Sequence, residues 1–195
     1  MGGSETTATL LAGVTYLLLS NPHALQKLTE EVRSTFSDES EINMTSVNQL
    51  TYMLACLNEA MRVYPPVPTG LPRVVPSGGH TILDRYVPEN VSNFQVSPDN
   101  IHEYLTCYGF LQTYVAIHHW AVYHDPRHFT DPLSYHPERF LGDPRFANDD
   151  FNVLQPFNVG PRNCLGRKYV LLLLLIYLAN DASLSVWHMP KCERS

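Results

Sequence analysis

A ten-residue turn, Phe157-Asn158-Val159-Gly160-Pro161-Arg162-Asn163-Cys164-Leu165-Gly166, constrains this chain more than any other stretch of its 195 residues. It sets one cysteine among two glycines and a proline, with an arginine two residues upstream. Glycine lets a backbone approach a flat group closely and take positive φ. Backbone N–H groups in such a turn can point at the sulfur and hold it as a thiolate. A lone cysteine cannot complete a zinc or iron–sulfur site, which needs three or four ligands. One thiolate does suffice as the axial ligand of a haem iron. The plainer alternative is a small buried hydrophobe in a glycine turn.

Bulk composition narrows the function classes. With 44% hydrophobic residues and a formal net charge of -6, the chain suits one globular domain or part of a larger one. Its acidic balance argues against nucleic acid as a partner. Cys56, Cys107, Cys164 and Cys192 show no paired spacing, which predicts no disulfide framework and a reducing compartment. The apolar runs at residues 8–19 and 169–179 fall short of the roughly 20 residues that span a membrane. The first residues lack the charged region and cleavage site of a signal peptide.

The cysteine turn resembles the haem-ligand signature of the cytochrome P450 monooxygenases, Phe-x-x-Gly-x-Arg-x-Cys-x-Gly, with every fixed position filled. The resemblance implies haem b as cofactor, with Cys164 as proximal ligand of its iron. A thiolate there pushes electron density towards O–O cleavage. It makes Arg162 a partner for a haem propionate, a contact that suits a guanidinium. Phe157, Gly160 and Gly166 fill the remaining fixed positions of this cofactor-binding turn.

Near the start, Ser4-Glu5-Thr6-Thr7 leads into an apolar helical pattern that reaches Ser20. In isolation it reads as a helix N-terminus with polar capping residues. Beside the cysteine motif it resembles the family's Ala/Gly-Gly-x-Asp/Glu-Thr, from the middle of the helix that crosses the distal haem face. That likeness makes Glu5 and Thr6 the catalytic acid–alcohol pair of a proton relay. It also implies that the chain begins within a helix.

Asn21-Pro22 punctuates the pattern, and residues 22–36 read as an amphipathic helix with Leu25, Leu28 and Val32 apolar. Residues 37–42 form an acidic loop. Residues 48–64 predict a further helix, lined on one side by Leu50, Met53, Leu54, Leu57 and Met61. Glu59 and Arg62 stand three apart on it, hence on one face. By spacing alone they are a surface ion pair worth well under about 1 kcal/mol. The pair is similar to the family's Glu-x-x-Arg, whose third partner is the arginine of Pro137-Glu138-Arg139-Phe140. The resemblance therefore implies a buried structural triad of Glu59, Arg62 and Arg139.

Prolines 65, 66, 68, 72 and 76 exclude a helix from residues 64–76. The family places an extended segment here at the haem edge, making Arg73 a propionate partner; otherwise it is a solvated loop arginine. Gly78-Gly79 predicts a hairpin turn, and residues 81–87 a short strand. His118, His119, His124, His128 and His136 lie in proline-punctuated sequence and read as polar surface residues rather than metal ligands.

Two stretches depart from the resemblance. Residues 91–112 show no clear periodicity, and their removal leaves Val-Pro-Glu-Asn-Thr-Tyr-Val-Ala-Ile-His-His-Trp, the family's turn into a strand. Val91-Ser92 can be encoded by GTAAGT, Leu105-Thr106 can carry CTGAC, and Leu111-Gln112 can end in CAG. Donor, branch and acceptor together read as a translated intron. Residues 168–195 allow the same signals and read as intron followed by frameshifted sequence. They replace a helix that the family packs beneath the haem, and Leu171 to Leu175 are left with no evident partner.

The fold implied is mainly α with a small β region, the C-terminal portion of the cytochrome P450 fold, truncated, and residues 1–195 would be part of one domain. The activity implied is a haem-thiolate monooxygenase hydroxylating a small hydrophobic organic substrate with O2. Electrons would come from NADPH through an NADPH–cytochrome P450 reductase. Residues 71–76 and 141–147 resemble fungal secondary-metabolite hydroxylases such as those of trichothecenes. The full-length protein would sit on the cytosolic face of the endoplasmic reticulum membrane. Two alternatives stand beside this: a truncated product that holds no haem, and a haem-thiolate isomerase or dehydratase. The intact Glu5-Thr6 pair disfavours the latter.

Overall fold

The computed structural model describes residues 3–90, 113–168 and 176–179. Helix α1 (Ser4–Ser20) buries Leu10, Val14 and Leu18, one residue every turn, with Gly13 beside them. A Cβ at Gly13 would run into the Tyr64 ring, so the small residue lets α1 approach the segment that carries Tyr64. Asn21 ends α1, its amide donating to the Leu17 carbonyl at 2.8 Å. Pro22 then opens α2 (Pro22–Thr35) at a position where its missing N–H costs nothing. Ala24, Leu28 and Val32 face the core.

Helix α3 (Thr51–Val63) is the central element, buried on nearly every side and carrying Glu59 and Arg62 inward. The helix predicted over residues 48–64 is shorter because a 3-10 turn, Ser46–Gln49, precedes it and buries Val47. Leu50 at the N-cap has no capping side chain. Glu31 of α2 supplies the cap instead. Its two carboxylate oxygens accept the Tyr52 and Met53 backbone N–H groups, each at 2.8 Å. A carboxylate there satisfies orphan donors and complements the helix dipole.

Among the described residues four short strands make two antiparallel ladders. β1 (Arg73–Val74) pairs with β4 (Tyr114–Val115), placing Arg73 opposite Val115. β2 (His80–Ile82) and β3 (Arg85–Val87) form a hairpin with His80 opposite Val87. This corrects the single strand predicted over residues 81–87. Leu83 and Asp84 take φ of 46° and 61°, the consecutive positive pair of a tight primed turn. Gly78-Gly79 make a separate bend before β2, closed by the Gly79 N–H on Pro76 O at 3.0 Å.

After β4 come the short helix α4 (His119–Tyr123) and a proline-rich meander with 3-10 turns at Pro137–Leu141, Pro144–Phe146, Phe151–Val153 and Gly160–Arg162. The main core lies where α1, α2 and α3 meet. Leu178 and Ala179 are fully buried in it, and Ile176 packs against it. Residues 176–179 of the tail therefore have apolar partners, while the expectation for Leu171 to Leu175 falls on residues outside those described. The aliphatic side chains of Ile176 and Leu178 meet the shared face of the helices. Leu171 to Leu175, residues 91–112 and residues 180–195 lie outside the described residues. Among the described residues no helix is long and apolar enough to cross a membrane.

Candidate functional site

Glu59 and Arg62 lie inside the fold, not on its surface. Arg62 Nε and Nη2 donate to the two Glu59 carboxylate oxygens at 2.8 and 2.7 Å, and both side chains are fully buried. The remaining Arg62 donors reach carbonyls of Tyr123, Pro132 and Ser134 at 2.9, 2.6 and 2.9 Å. Arg139 Nε lies 3.3 Å from Glu59, and the His136 N–H donates to the same carboxylate at 3.0 Å. Phe129 sits by both guanidinium groups, its centroid 5.3 Å from Arg62 Cζ and 5.7 Å from Arg139 Cζ. A fourth member was missed in the sequence: Asp149, which pairs with Arg139 Nη1 and accepts the Thr130 N–H at 2.8 Å. A charge count could have revealed it. Two buried arginines against one carboxylate leave an uncompensated charge, so a second acid is required.

The cysteine turn is closed by the Cys164 N–H donating to Phe157 O at 2.8 Å and the Asn163 N–H donating to Gly160 O at 3.1 Å. Gly160 has φ of 74°, which a side chain would strain. Phe157 anchors the turn, half-buried against the main core, with the Arg167 guanidinium 5.5 Å above its ring. Cys164 is a free, exposed thiol at the other end, and Gly166 is half-buried. Arg162 is exposed. So are the apolar Val159, at 66%, and Leu165, at 101%. Cys56, by contrast, is deeply buried, which pushes its thiol up to about 12.

Arg73 is exposed on β1, with Nη1 donating locally to Pro72 O at 3.1 Å. Glu5 is exposed and Thr6 half-buried in the first turn of α1. A cavity of about 520 Å³ brings Arg73 together with Asn158 and Val159 of the cysteine turn. Ile82, Val115, Ile117, Val122 and Val153 give it apolar walls. His119 and His128 are buried in those walls, correcting the surface position expected for all five histidines. His119 stacks on Tyr123 at 5.3 Å, and burial holds its imidazole below the usual histidine range. Among the described residues no group of three potential metal ligands clusters.

This donor set fits a haem: one accessible thiol on a hydrogen-bonded turn, apolar neighbours exposed around it, and guanidinium groups available to carboxylates. The cytochrome P450 family model matches residues 1–108 and 112–180, and the chain belongs to that family. It is 53% identical over 165 residues to the cytochrome P450 monooxygenase tpeC of Talaromyces stipitatus. Identity is 51% over 168 residues to the monooxygenase prhB of Penicillium brasilianum. It is 48% over 172 residues to the trichothecene C-4 hydroxylase of Trichoderma arundinaceum. These matches take in 85–86% of this chain and 28–30% of each relative, so the chain spans under a third of their length.

Proposed function

We propose that the full-length protein is a haem-thiolate monooxygenase that hydroxylates a small hydrophobic substrate of fungal secondary metabolism. The observation that carries this is the complete cysteine signature on a closed, exposed turn in a chain of the cytochrome P450 family. Cys164 would hold the iron through its sulfur. Arg73 and Arg162 would take the propionates, with Phe157, Gly160 and Gly166 shaping the turn against the ring. Bound haem supplies oxygen activation, one atom of O2 entering the substrate and the other leaving as water. Glu5 and Thr6 would hold and pass the protons, a carboxyl handing to a neighbouring hydroxyl. The acid–alcohol pair favours oxygenation over isomerase or dehydratase chemistry.

Electrons would come from NADPH through a partner reductase on the cytosolic face of the endoplasmic reticulum. Residues 91–112 are proposed to be translated intron, on the splice signals that their codons allow and the family-like join left when they are removed. Residues 168–195 are assigned the same origin. Sequencing the transcript decides this, since a mature message retaining both stretches would remove the proposal. For the site, the test is the reduced, CO-treated full-length protein. A thiolate-type band that Cys164→Ser abolishes is expected, and a mutant keeping the band would overturn the ligand. This chain expressed alone is expected to show no such band, and its appearance with substrate turnover would show the insert to be structural.

A further inference from the structure

We propose that Tyr123 is a positioning residue for the iron-ligating cysteine, its hydroxyl fixing the backbone where the cysteine turn begins; this rests on the haem-thiolate reading above. Tyr123 is the last residue of α4 and is fully buried. Its hydroxyl oxygen accepts the Gln155 N–H at 3.0 Å. From there the hydrogen bonds lead into the cysteine turn. Gln155 O accepts the Asn158 N–H at 3.0 Å, closing a tight turn with Pro156 at its second position. Asn158 leaves it with φ of 58°. Phe157, inside that turn, has its carbonyl bonded by the Cys164 N–H at 2.8 Å. The Tyr123 hydroxyl is thus joined to the main chain of Cys164 through residues 155–158.

Packing alone does not ask for a hydroxyl at residue 123. The ring stacks on His119 at 5.3 Å and joins a small apolar cluster with Val122, Val153 and Leu154, contacts that a phenylalanine would also make. Burying a hydroxyl costs free energy unless it is hydrogen-bonded, and this one is bonded to the entry of the cysteine turn. Tyr123 is held at its main chain too. Its carbonyl accepts Arg62 Nη1 at 2.9 Å, so the buried charge group and the cysteine turn meet on one residue. The far end of the turn is exposed at Cys164 and Leu165. Its placement is therefore set from the buried end, where Phe157 packs against the main core and Tyr123 holds Gln155. Groups that orient a metal's ligand without touching the metal typically change its affinity by about 10–100-fold.

The test is made on the full-length protein with haem. Tyr123→Phe keeps the ring and removes the acceptor. It should lower haem affinity about ten-fold and move part of the reduced, CO-treated band from the thiolate to the neutral-thiol position. Tyr135→Phe is the matched control, because the buried Tyr135 hydroxyl also bonds main chain, donating to Cys56 O at 2.9 Å in the main core. It should lose stability to urea much as Tyr123→Phe does, while haem affinity and band stay those of the parent. Gln155→Pro deletes the donor instead, and Leu154 before it is already extended, as suits a residue preceding proline. It should repeat the Tyr123→Phe result and replaces that variant if Tyr123→Phe does not fold. Equal spectral losses in Tyr123→Phe and Tyr135→Phe would mean a general loosening and overturn the positioning role. An unchanged affinity and band in folded Tyr123→Phe would overturn it alone. An unaltered protein that takes up no haem, or shows no thiolate band, would remove the haem-thiolate reading and this role with it.

Discussion

Arg139 Nε lies 3.3 Å from Glu59 Oε2, and both side chains are wholly buried. One belongs to α3 and the other to the turn Pro137–Leu141, so a charge contact fixes the meander against the central helix. Arg62 and Asp149 complete the group, giving two cations and two anions inside the fold. Glu59→Gln keeps the shape and removes one anion. It should cost roughly 3–5 kcal/mol, the usual loss when a buried pair is broken. Urea denaturation measures it, and an unchanged midpoint would contradict a structural role for Glu59.

Asp149 gives a sharper test, because its pairing with Arg139 joins two wholly buried charges. Asp149→Asn alone and Arg139→Met alone should each destabilise by about 3 kcal/mol. Made together they should cost less than the sum, by about 1 kcal/mol or more. Strict additivity in the double-mutant cycle would dissolve the pair.

Stability should also depend on the Glu138 carboxyl. Partial burial pushes its pKa up, but hydrogen bonds from Lys27 at 2.7 Å and Tyr52 at 3.2 Å outweigh this and hold it below its ordinary value of 4.5. The folded state thus gives up this proton more readily than the unfolded chain. Its contribution is full above pH 4.5 and is lost as pH falls through the lowered folded value. Lys27→Met should flatten the fall of stability at acid pH. The same slope in parent and variant would discount the pair.

The tail supplies a fourth outcome. Leu178 is fully buried among α1, α2 and α3. Leu178→Ala should cost about 2–5 kcal/mol, as truncation of a core leucine does. A thermal melt that does not move would place residue 178 outside the core.

Much of the fold was legible. The apolar pattern reaching Ser20, the Asn21-Pro22 break and the apolar side of residues 50–61 located the three core helices. The boundaries failed where the cause was tertiary. Nothing around Leu50 signals a cap, because Glu31 comes from another helix. The Leu83-Asp84 turn was overlooked because Gly78-Gly79 beside it is the stronger local signal, whereas pairing between β2 and β3 decides which residues turn. The cysteine turn was readable from ten consecutive residues. The burial of His119 and His128 was not, since proline-punctuated sequence looks exposed until α4 and the meander close over a shared cavity.

The Glu31 cap has a consequence for what the chain tolerates. Because a carboxylate on α2 fixes where α3 begins, the angle between the helices does not depend on the length of the connection at residues 37–45. Ser37, Asp38 and Ser40 in it are exposed, and lengthening such a loop raises its closure entropy only slowly. The segment is therefore a permissive site: an inserted tag or a reporter attached beside Ser40 would ride on the surface while the three-helix core stays in register.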